Sequence, residues 1–310
     1  MEFHKYMKIK VLGHMENIGI FSDPNDDIVI QEKIDGGNFR FYISNDNVVI
    51  IGSRTQQLTS SEGEDINMNK MFLRCSNWVR EKLKNKDLTK YQGMIFYGEN
   101  CVKHTISYNW ETIPPFLGFD IMTDNGFLKY EDVNRIYNEL DLQMVPLIKI
   151  CKANEIKKID DNMVPQSVYA DLTNKDIKAE GLVFKNYKKQ LFGKYVRDAF
   201  KEKNADVFGG NPKYNASDDT NNSDFIYKYC TNARIDKMIF KLVDEGLELE
   251  MKLMEFLPKR IYDDIFEEEW REICYSRWKI DFNLIRKLIT KRCVSVLKSV
   301  IVNNTLNGGK

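Results

Sequence analysis

The chain has 310 residues, of which 43% are hydrophobic and 30% charged, and its 46 basic side chains balance its 46 acidic ones. This composition is typical of a globular protein with one large or two smaller domains, and it excludes an evenly basic binder of polyanions. Six widely spaced cysteines without a C-x-x-C pair, and only three histidines, argue against a disulfide framework and a histidine-based metal centre. No secretion signal or membrane-spanning apolar run is recognisable, so a cytoplasmic protein without a membrane partner is expected.

Strands dominate the first two hundred residues. Runs of β-branched and aromatic residues bounded by turn residues predict strands at 28–43, 48–53, 93–100, 115–122, 179–187 and 191–197. Apolar residues at helical spacing predict helices at 67–86 and near 130–140. The predicted fold class is therefore α+β, with mainly antiparallel sheet and flanking helices.

The character of the chain changes after Phe200. Residues 206–224 are rich in Gly, Asn, Asp and Ser, which predicts a linker between a unit at 1–205 and a second unit at 225–310. The second unit is predicted to be all helical. Its helices are expected at about 233–257, ending before Pro258, and at about 259–274 and 281–302.

The stretch VIQEKIDGGNFRFYI (29–43) contains a lysine, an aspartate and two glycines in the middle of an otherwise strand-like run. Glycine weakens a strand and adds no side chain to pack, so the backbone there must bend or allow a close approach. Lys33 within K-x-D-G is a candidate amine nucleophile. The motif alone is weak evidence, because a solvated turn at the end of a strand has the same residues.

The motif is one of six short blocks that follow one another along the chain. They are EKIDGGNF (32–39), SRT (53–55), FYGE (96–99), FLGFDIM (116–122), EGLVFK (180–185) and KYVRDAFKE (194–202). In composition and order these blocks resemble the motifs of the covalent nucleotidyltransferases, the superfamily of ATP-dependent DNA and RNA ligases and mRNA capping enzymes. The resemblance implies that residues 1–205 form the adenylyltransferase domain.

Two features of the sequence resemble those of the RNA ligase 2-like branch. This branch contains phage and bacterial RNA ligases that seal nicks. DNA ligases and capping enzymes usually have an arginine five residues after the nucleophilic lysine, where this chain has Asn38. They also carry an OB-fold after the catalytic domain, where helices are predicted here. The alternatives are a DNA ligase or GTP-using capping guanylyltransferase and, in a different class, a catalytically inactive nucleic-acid-binding module.

The resemblance implies a role for each residue of the first blocks. Lys33 would attack the α-phosphate of ATP and hold AMP, and Glu32 would orient the adenine or the lysine. Asp35 and Asn38 would position the phosphates or the reacting hydroxyl. Arg54 would hold a phosphate as charge develops on it.

The later blocks would complete the nucleotide site. Glu99 would accept a hydrogen bond from the ribose, while Phe119 would stack on the adenine with Asp120 beside it. Glu180 would bind Mg²⁺, or Mn²⁺ in its place. Lys185 and Lys194 would neutralise the α-phosphate.

The last block departs from the pattern of the family. RNA ligase 2-like enzymes commonly have two lysines separated by one residue, and here Val196 stands in the second position. Arg197 is the nearest cation to take its place. His104 is either a substrate contact or a satisfied polar residue.

The function implied is ATP-dependent sealing of 3′-OH and 5′-phosphate RNA ends through a lysyl-AMP and an AMP-capped polynucleotide. The expected partner is RNA, as a nicked duplex or broken ends, with the tolerance for DNA left open. Candidates for phosphate contacts in the helical unit are five of its basic residues, Arg234, Lys237, Lys287, Lys291 and Arg292.

Overall fold

The computed structural model of the protein describes residues 4–102, 108–171, 178–197, 220–276 and 278–307. The chain divides into two compact units, Met1–Asp198 and Ala199–Lys310. Each unit has its own hydrophobic core, and the two are described in turn. His104 lies outside the described residues.

The first unit contains two five-stranded sheets. Its strands are β1 Lys10–Val11, β2 Asp27–Lys33, β3 Gly37–Ile43, β4 Val49–Ser53, β5 Ile95–Asn100, β6 Phe116–Thr123, β7 Gly126–Phe127, β8 Leu147–Lys152, β9 Gly181–Asn186 and β10 Leu191–Val196. The first sheet has the order β1-β10-β9-β2-β8 and the second the order β4-β3-β5-β6-β7. Among these described strands only β1 and β10 pair in parallel. The predicted α+β class with mainly antiparallel sheet is confirmed.

The prediction of one continuous strand at 28–43 is wrong, because the chain passes from one sheet to the other within it. β2 belongs to the first sheet, β3 to the second, and residues 34–36 form the crossover between them. A Cβ on Gly36 would lie 2.5 Å from the carbonyl oxygen of Asn100 and 2.8 Å from Cγ of Glu99. A Cβ on Gly37 would meet nothing within 4 Å. Close approach of β5 therefore explains Gly36 but not Gly37.

Two helices cover the second sheet. Helices α1 Lys70–Leu83 and α2 Tyr130–Glu139 pack their apolar faces on the side chains of β3, β5 and β6. The rings of Phe41 and Phe96 stack in this core with centroids 4.5 Å apart. Asn69 caps α1, since its side chain accepts hydrogen bonds from the first backbone N–H groups of the helix.

Strand β8 was not predicted from the sequence. It lies at the edge of the first sheet and pairs only with β2 among the described strands. Most of its side chains are exposed, and Ile150 is among them. An edge strand with little to bury gives no clear alternation of apolar and polar residues, which is the signal that predicts strands.

The described part of the second unit is helical. Its helices are α3 Thr220–Tyr229, α4 Asn232–Asp244, α5 Leu257–Tyr275 and α6 Phe282–Asn307. The helix predicted to continue to residue 257 ends at Asp244, because Gly246 adopts a φ of 91°. Pro258 lies instead in the first turn of α5, where the missing N–H costs no hydrogen bond. Helix α3 begins inside the predicted linker.

None of the helices in the described segments is long and apolar enough to cross a membrane.

The difference between Gly36 and its neighbour Gly37 provides a test of the fold. Gly36→Ala is expected to lower the free energy of unfolding by about 1–3 kcal/mol, because the methyl group meets backbone that cannot move aside. Gly37→Ala, with open space around it, is the matched control and is expected to be neutral or slightly stabilising. Urea denaturation of both variants measures the difference, and equal effects would contradict the close approach of β5.

Candidate active site

Lys33 is the last residue of β2, at the point where the chain leaves the first sheet. It lies opposite Gly181 on β9, so that the preceding residue, Glu180, is within reach. The Nζ of Lys33 donates a hydrogen bond to Oε2 of Glu180 at 2.7 Å. The Lys33 side chain is 20% exposed and that of Glu180 only 3%. The ion pair therefore holds the partly exposed amine of Lys33 in one position against the buried carboxylate of Glu180.

Gln31 is a residue that the sequence analysis missed. It lies two residues before Lys33, and since strand side chains alternate, both point to the same face of β2. Gln31 is 1% exposed, and neither its Oε1 nor its Nε2 has a hydrogen-bond partner within the described segments. A buried amide without partners costs free energy unless a ligand supplies them. The available signal was the alternation of side chains along a strand, which places Gln31 on the same face as Lys33.

The same row of residues continues across the first sheet. Gln31 lies opposite Val183 on β9, and Val183 lies opposite Lys194 on β10. Val183 and Lys194 are half-buried. One face of the sheet therefore carries an amide, an apolar side chain and a cation side by side, with Lys33 at its end.

Glu32 points to the opposite face, the side of β2 on which Ile28 and Ile30 enter the core. It is fully buried, and this burial raises its pKa to about 7. The nearby hydroxyl of Ser167 and the backbone of Val168 act in the opposite direction and lower the pKa, although neither carboxylate oxygen of Glu32 has a hydrogen-bond partner among the described residues. Because this face is opposite to that of Lys33 and Gln31, the placement favours neither of the two predicted roles of Glu32, which stay predictions.

Asp120 and Lys185 form a buried ion pair between the two sheets. The Nζ of Lys185 lies 2.8 Å from Oδ2 of Asp120 and also donates to the carbonyl of Phe119 at 3.1 Å. The hydroxyls of Tyr6 and Tyr187 donate to the same carboxylate, each at 2.6 Å. Burial lowers the pKa of Lys185, while Asp120 raises it.

This pair bears on the predicted role of Lys185. Lys185 lies opposite Val29, four residues along β2 from Lys33, a separation of roughly 13 Å in strand geometry. Its ammonium is held by Asp120 and lies 5.3 Å from the ring centroid of Phe119. The arrangement suits a residue that supports the Phe119 wall better than one that contacts a phosphate next to Lys33.

Phe119 is almost fully buried in its aromatic surroundings. The ring of Tyr6 lies 4.9 Å from it, tilted by 57°. Phe119 and Gln31 come from different sheets, β6 and β2, whose facing sides are joined by the ion pair of Asp120 and Lys185. A planar group that contacted both residues would therefore lie between the sheets.

The second sheet contributes the residues on the other side of the crossover. Asn38 on β3 lies directly opposite Glu99 on β5. The Oδ1 of Asn38 is buried and has no hydrogen-bond partner among the residues with described structure. Asp35 is buried within the crossover, and Arg54 is half-buried just beyond the end of β4. The structure thus brings these four predicted residues to the strand ends around Lys33.

Arg197 is placed differently from its predicted role. Its Nε donates to the carbonyl of Ala179 at 2.7 Å and its Nη2 to the carbonyl of Lys178 at 3.0 Å. The residue is buried, and this burial lowers the pKa of its guanidinium. Two of its donors therefore fix the backbone leading to Glu180, which leaves fewer to replace the missing lysine on a phosphate.

Glu180 is the residue best placed to hold a divalent cation. In the described ranges no cluster of three histidine, cysteine, aspartate or glutamate side chains could hold a metal ion by itself. Mg²⁺ does not need such a cluster, since it usually takes one or two carboxylates, substrate phosphates and several waters. A single buried carboxylate such as Glu180, together with the phosphates of a bound nucleotide, would fit that requirement.

Comparison with known proteins identifies the family. Residues 26–203 match the family model of the RNA ligases, and the chain therefore belongs to the RNA ligase family. The match contains every predicted residue of the nucleotide and metal site, from Glu32 to Arg197. The resemblance drawn from the sequence is confirmed. No curated protein matches the chain.

Solved structures show the same fold. The structure is similar to that of Naegleria gruberi RNA ligase with PPi, with 18% identity, a TM-score of 0.50, and coverage of 66% of this chain and 59% of that chain. A mutant of the same ligase with ATP and Mn has 20% identity, a TM-score of 0.46 and the same coverage. The chain thus matches about 59% of the length of these ligases.

The buried Glu32 gives a pH dependence of stability. Its folded-state pKa of about 7 exceeds the usual 4.5, so the folded protein binds the proton more tightly than the unfolded chain. The resulting stabilisation is present below pH 4.5 and is lost as the pH rises through about 7, up to about 3 kcal/mol in total.

Glu32→Gln should remove this component, because the amide does not titrate. The free energy of unfolding of wild type minus that of the variant is expected to fall between pH 5 and pH 8. Urea denaturation at each pH measures both proteins, and the subtraction cancels other titrating groups. A difference that stays constant over this range would show that Glu32 is not held neutral by burial.

Proposed function

We propose that this protein is an ATP-dependent RNA ligase that joins 3′-OH to 5′-phosphate ends, with nicks in duplex RNA as its main substrate. Residues 1–205 would act as the adenylyltransferase domain and 225–310 as a helical accessory domain, joined by a linker at 206–224. The proposal depends most on where the structure places Lys33 and Gln31. Lys33 stands at the rim, bound to buried Glu180, and the buried amide of Gln31 lies deeper on the same strand face.

Gln31 is suited to contact the base of ATP. Its side-chain amide offers one acceptor and two donors. Adenine presents an amino group as a donor next to a ring nitrogen as an acceptor, so one amide can bind both. Phe119, from the facing sheet, would supply the apolar wall against the base. The base would then satisfy the polar atoms of Gln31 that lack partners in the protein.

The residues around the crossover would hold the sugar and phosphates. Glu99 would accept a hydrogen bond from a ribose hydroxyl, as the resemblance to ligases implies. The buried amide of Asn38 would form a hydrogen bond with a phosphate or with the reacting hydroxyl. Arg54 and Lys194 would neutralise phosphate charge from the two sheets.

In the first step Lys33 Nζ, having lost its proton, attacks the α-phosphorus of ATP. An N–P bond forms, the bond to the bridging oxygen breaks, and pyrophosphate leaves. In the second step a 5′-phosphate oxygen of the RNA attacks the same phosphorus, and the N–P bond breaks. In the third step the 3′-OH attacks the 5′-phosphate and AMP leaves. This covalent relay divides one difficult condensation into easier transfers.

Mg²⁺, or Mn²⁺ in its place, would bind at Glu180 and neutralise phosphate charge during these transfers. Glu180 already binds the ammonium of Lys33 through Oε2. A cation at this carboxylate would therefore weaken the hold of Glu180 on the lysine proton. Because Glu180 would contact both the cation and Lys33, we place the metal next to the nucleophile.

RNA contacts of the helical unit are expected on α6. Lys287 and Lys291 are exposed and four residues apart, so they lie on one side of the helix. Arg234, also predicted to contact RNA, is instead half-buried and held in ion pairs with Asp264 at 3.2 Å and Glu269 at 2.7 Å. Its guanidinium holds α4 to α5, so we exclude it from the RNA-binding residues.

The rival enzymes of the superfamily fit less well. DNA ligases and capping enzymes carry an OB-fold in the region where the described residues of this chain form helices. Asn38 stands where these enzymes usually have arginine. An inactive binding module would not need an amine at the rim next to a buried carboxylate.

The nucleophile is tested by incubation with α-labelled ATP and Mg²⁺, followed by mass spectrometry and a denaturing gel. Wild type is expected to gain one AMP on Lys33, and Lys33→Ala is expected to lose the label completely because no other amine occupies that position. Lys149→Ala, which removes an exposed lysine on β8, is the control and should retain the label.

The same preparations distinguish the alternatives. Labelling from GTP in place of ATP would indicate a capping enzyme, and no labelling from either would support the binding module. Sealing of nicked duplexes with RNA or DNA at the 3′-OH side then separates the ligases. An RNA ligase should join the RNA substrate at least tenfold faster, and equal rates would contradict the preference for RNA.

The role of Gln31 predicts opposite effects on binding and stability. Gln31→Leu should weaken ATP binding about ten- to thirtyfold, because two neutral hydrogen bonds to the base are lost. The free energy of unfolding should stay the same or rise, since two buried polar atoms without partners are removed. Calorimetric titration and urea denaturation measure the two quantities. Lower stability with unchanged binding would show that Gln31 serves the fold and not the nucleotide.

A further inference from the structure

Tyr108 is a buried residue outside the predicted site that contacts the crossover directly. Its hydroxyl accepts a hydrogen bond from the backbone N–H of Asp35 at 2.8 Å. Tyr108 is only 2% exposed. Asp35 lies between β2 and β3, where the regular pairing of both strands has ended. The tyrosine oxygen thus takes the place of a strand partner for this N–H.

The tyrosine itself is held from several sides. It forms an isolated antiparallel bridge with Ala170, and the next backbone N–H, that of Asn109, donates to the carbonyl of Tyr169 at 2.8 Å. The ring of Trp110 meets that of Tyr108 edge-on, with centroids 5.8 Å apart. These contacts fix the position of the hydroxyl, so the hydroxyl can in turn fix the backbone of Asp35.

The charges around the hydroxyl keep it neutral. Burial raises the pKa of Tyr108 well above its usual value, and the carboxylates of Asp35, Glu32 and Glu180 raise it further. Asp35 lies in the crossover, Glu32 lies on β2 next to Lys33, and Glu180 is the partner of Lys33. Tyr108 therefore lies among the acidic groups of the site and remains a hydroxyl at neutral pH.

We infer that Tyr108 is a positioning residue for the attack of Lys33, because its hydroxyl fixes the crossover that aims the lysine. This inference rests on the proposed function. Lys33 is two residues from Asp35, and Gly36, on the other side of Asp35, lies so close to β5 that a Cβ on it would be 2.5 Å from the carbonyl oxygen of Asn100. Without the hydroxyl, a buried backbone N–H would lose its partner, and the segment would shift or open to find another.

Misplacement of a reacting group by about 1 Å can lower a rate on the order of a hundredfold. The joining of AMP-capped RNA makes a useful comparison, since AMP already sits on the RNA and the amine of Lys33 is not the nucleophile. A residue that positions Lys33 should affect formation of lysyl-AMP and not this final joining. A residue needed only for the fold should affect both alike.

The test compares wild type with Tyr108→Phe, which removes one oxygen and keeps the ring. At saturating ATP, the rate constant for lysyl-AMP formation is expected to fall ten- to a hundredfold, with the apparent Kd for ATP changed less than threefold. The rate of joining AMP-capped RNA should change less than twofold. Because the ratio of the two rates is taken from one preparation, a partly folded sample does not alter it.

Tyr91→Phe is the matched control. Tyr91 is also a buried tyrosine, and its hydroxyl donates to Glu139 near the opposite end of the second sheet. It should leave both rates within twofold of wild type. Hydrogen exchange at the Asp35 amide provides a second readout, which should accelerate in Tyr108→Phe and not in Tyr91→Phe.

Each outcome has a definite meaning. Equal loss of both reactions in Tyr108→Phe, or an unchanged first step, would overturn the inference about Tyr108. If wild type itself forms no lysyl-AMP while remaining folded, the proposed function fails instead. The two failures are therefore distinguishable in one set of assays.

Discussion

The passage of the chain from one sheet to the other within three residues is the constraint on which the site depends. Gly36 lies so close to the backbone of Asn100 that no side chain fits there. This contact lies between the end of β2 at Lys33 and the beginning of β3 at Gly37. Lys33, the proposed nucleophile, is therefore placed where the two sheets meet, so that residues from both could contact the same substrate.

The polar groups of the site divide into those satisfied within the protein and those that are not. Asp120, Lys185 and Arg197 have their partners in carboxylate, hydroxyl or carbonyl groups of the chain. Gln31 and the Oδ1 of Asn38 are buried without partners among the described residues. Satisfied groups stabilise the fold, while unsatisfied ones cost stability, and this cost is the basis for proposing a ligand at Gln31 and Asn38.

Glu32 and Lys33 show that residues of one sequence motif do not all have their side chains at the same site. They are neighbours in sequence, but alternation along β2 sends their side chains to opposite faces. Lys33 reaches Glu180 at the rim, whereas Glu32 enters the core side near Ser167. Gln31, which the motif analysis passed over, shares the face of Lys33. Strand geometry decides which of these three side chains can meet a nucleotide.

The sequence by itself determined the family and those elements that bury one clear face. Hydrophobic periodicity predicted α1, α2 and the β9–β10 hairpin because these elements bury one clear face, and six ordered blocks predicted an RNA ligase. Only the tertiary structure decided which side chains meet. The pairing of Lys185 with Asp120 and of Tyr108 with Asp35 joins residues 65 and 73 positions apart. Such contacts depend on sheet register and on the crossover at Gly36, which local sequence preferences do not specify.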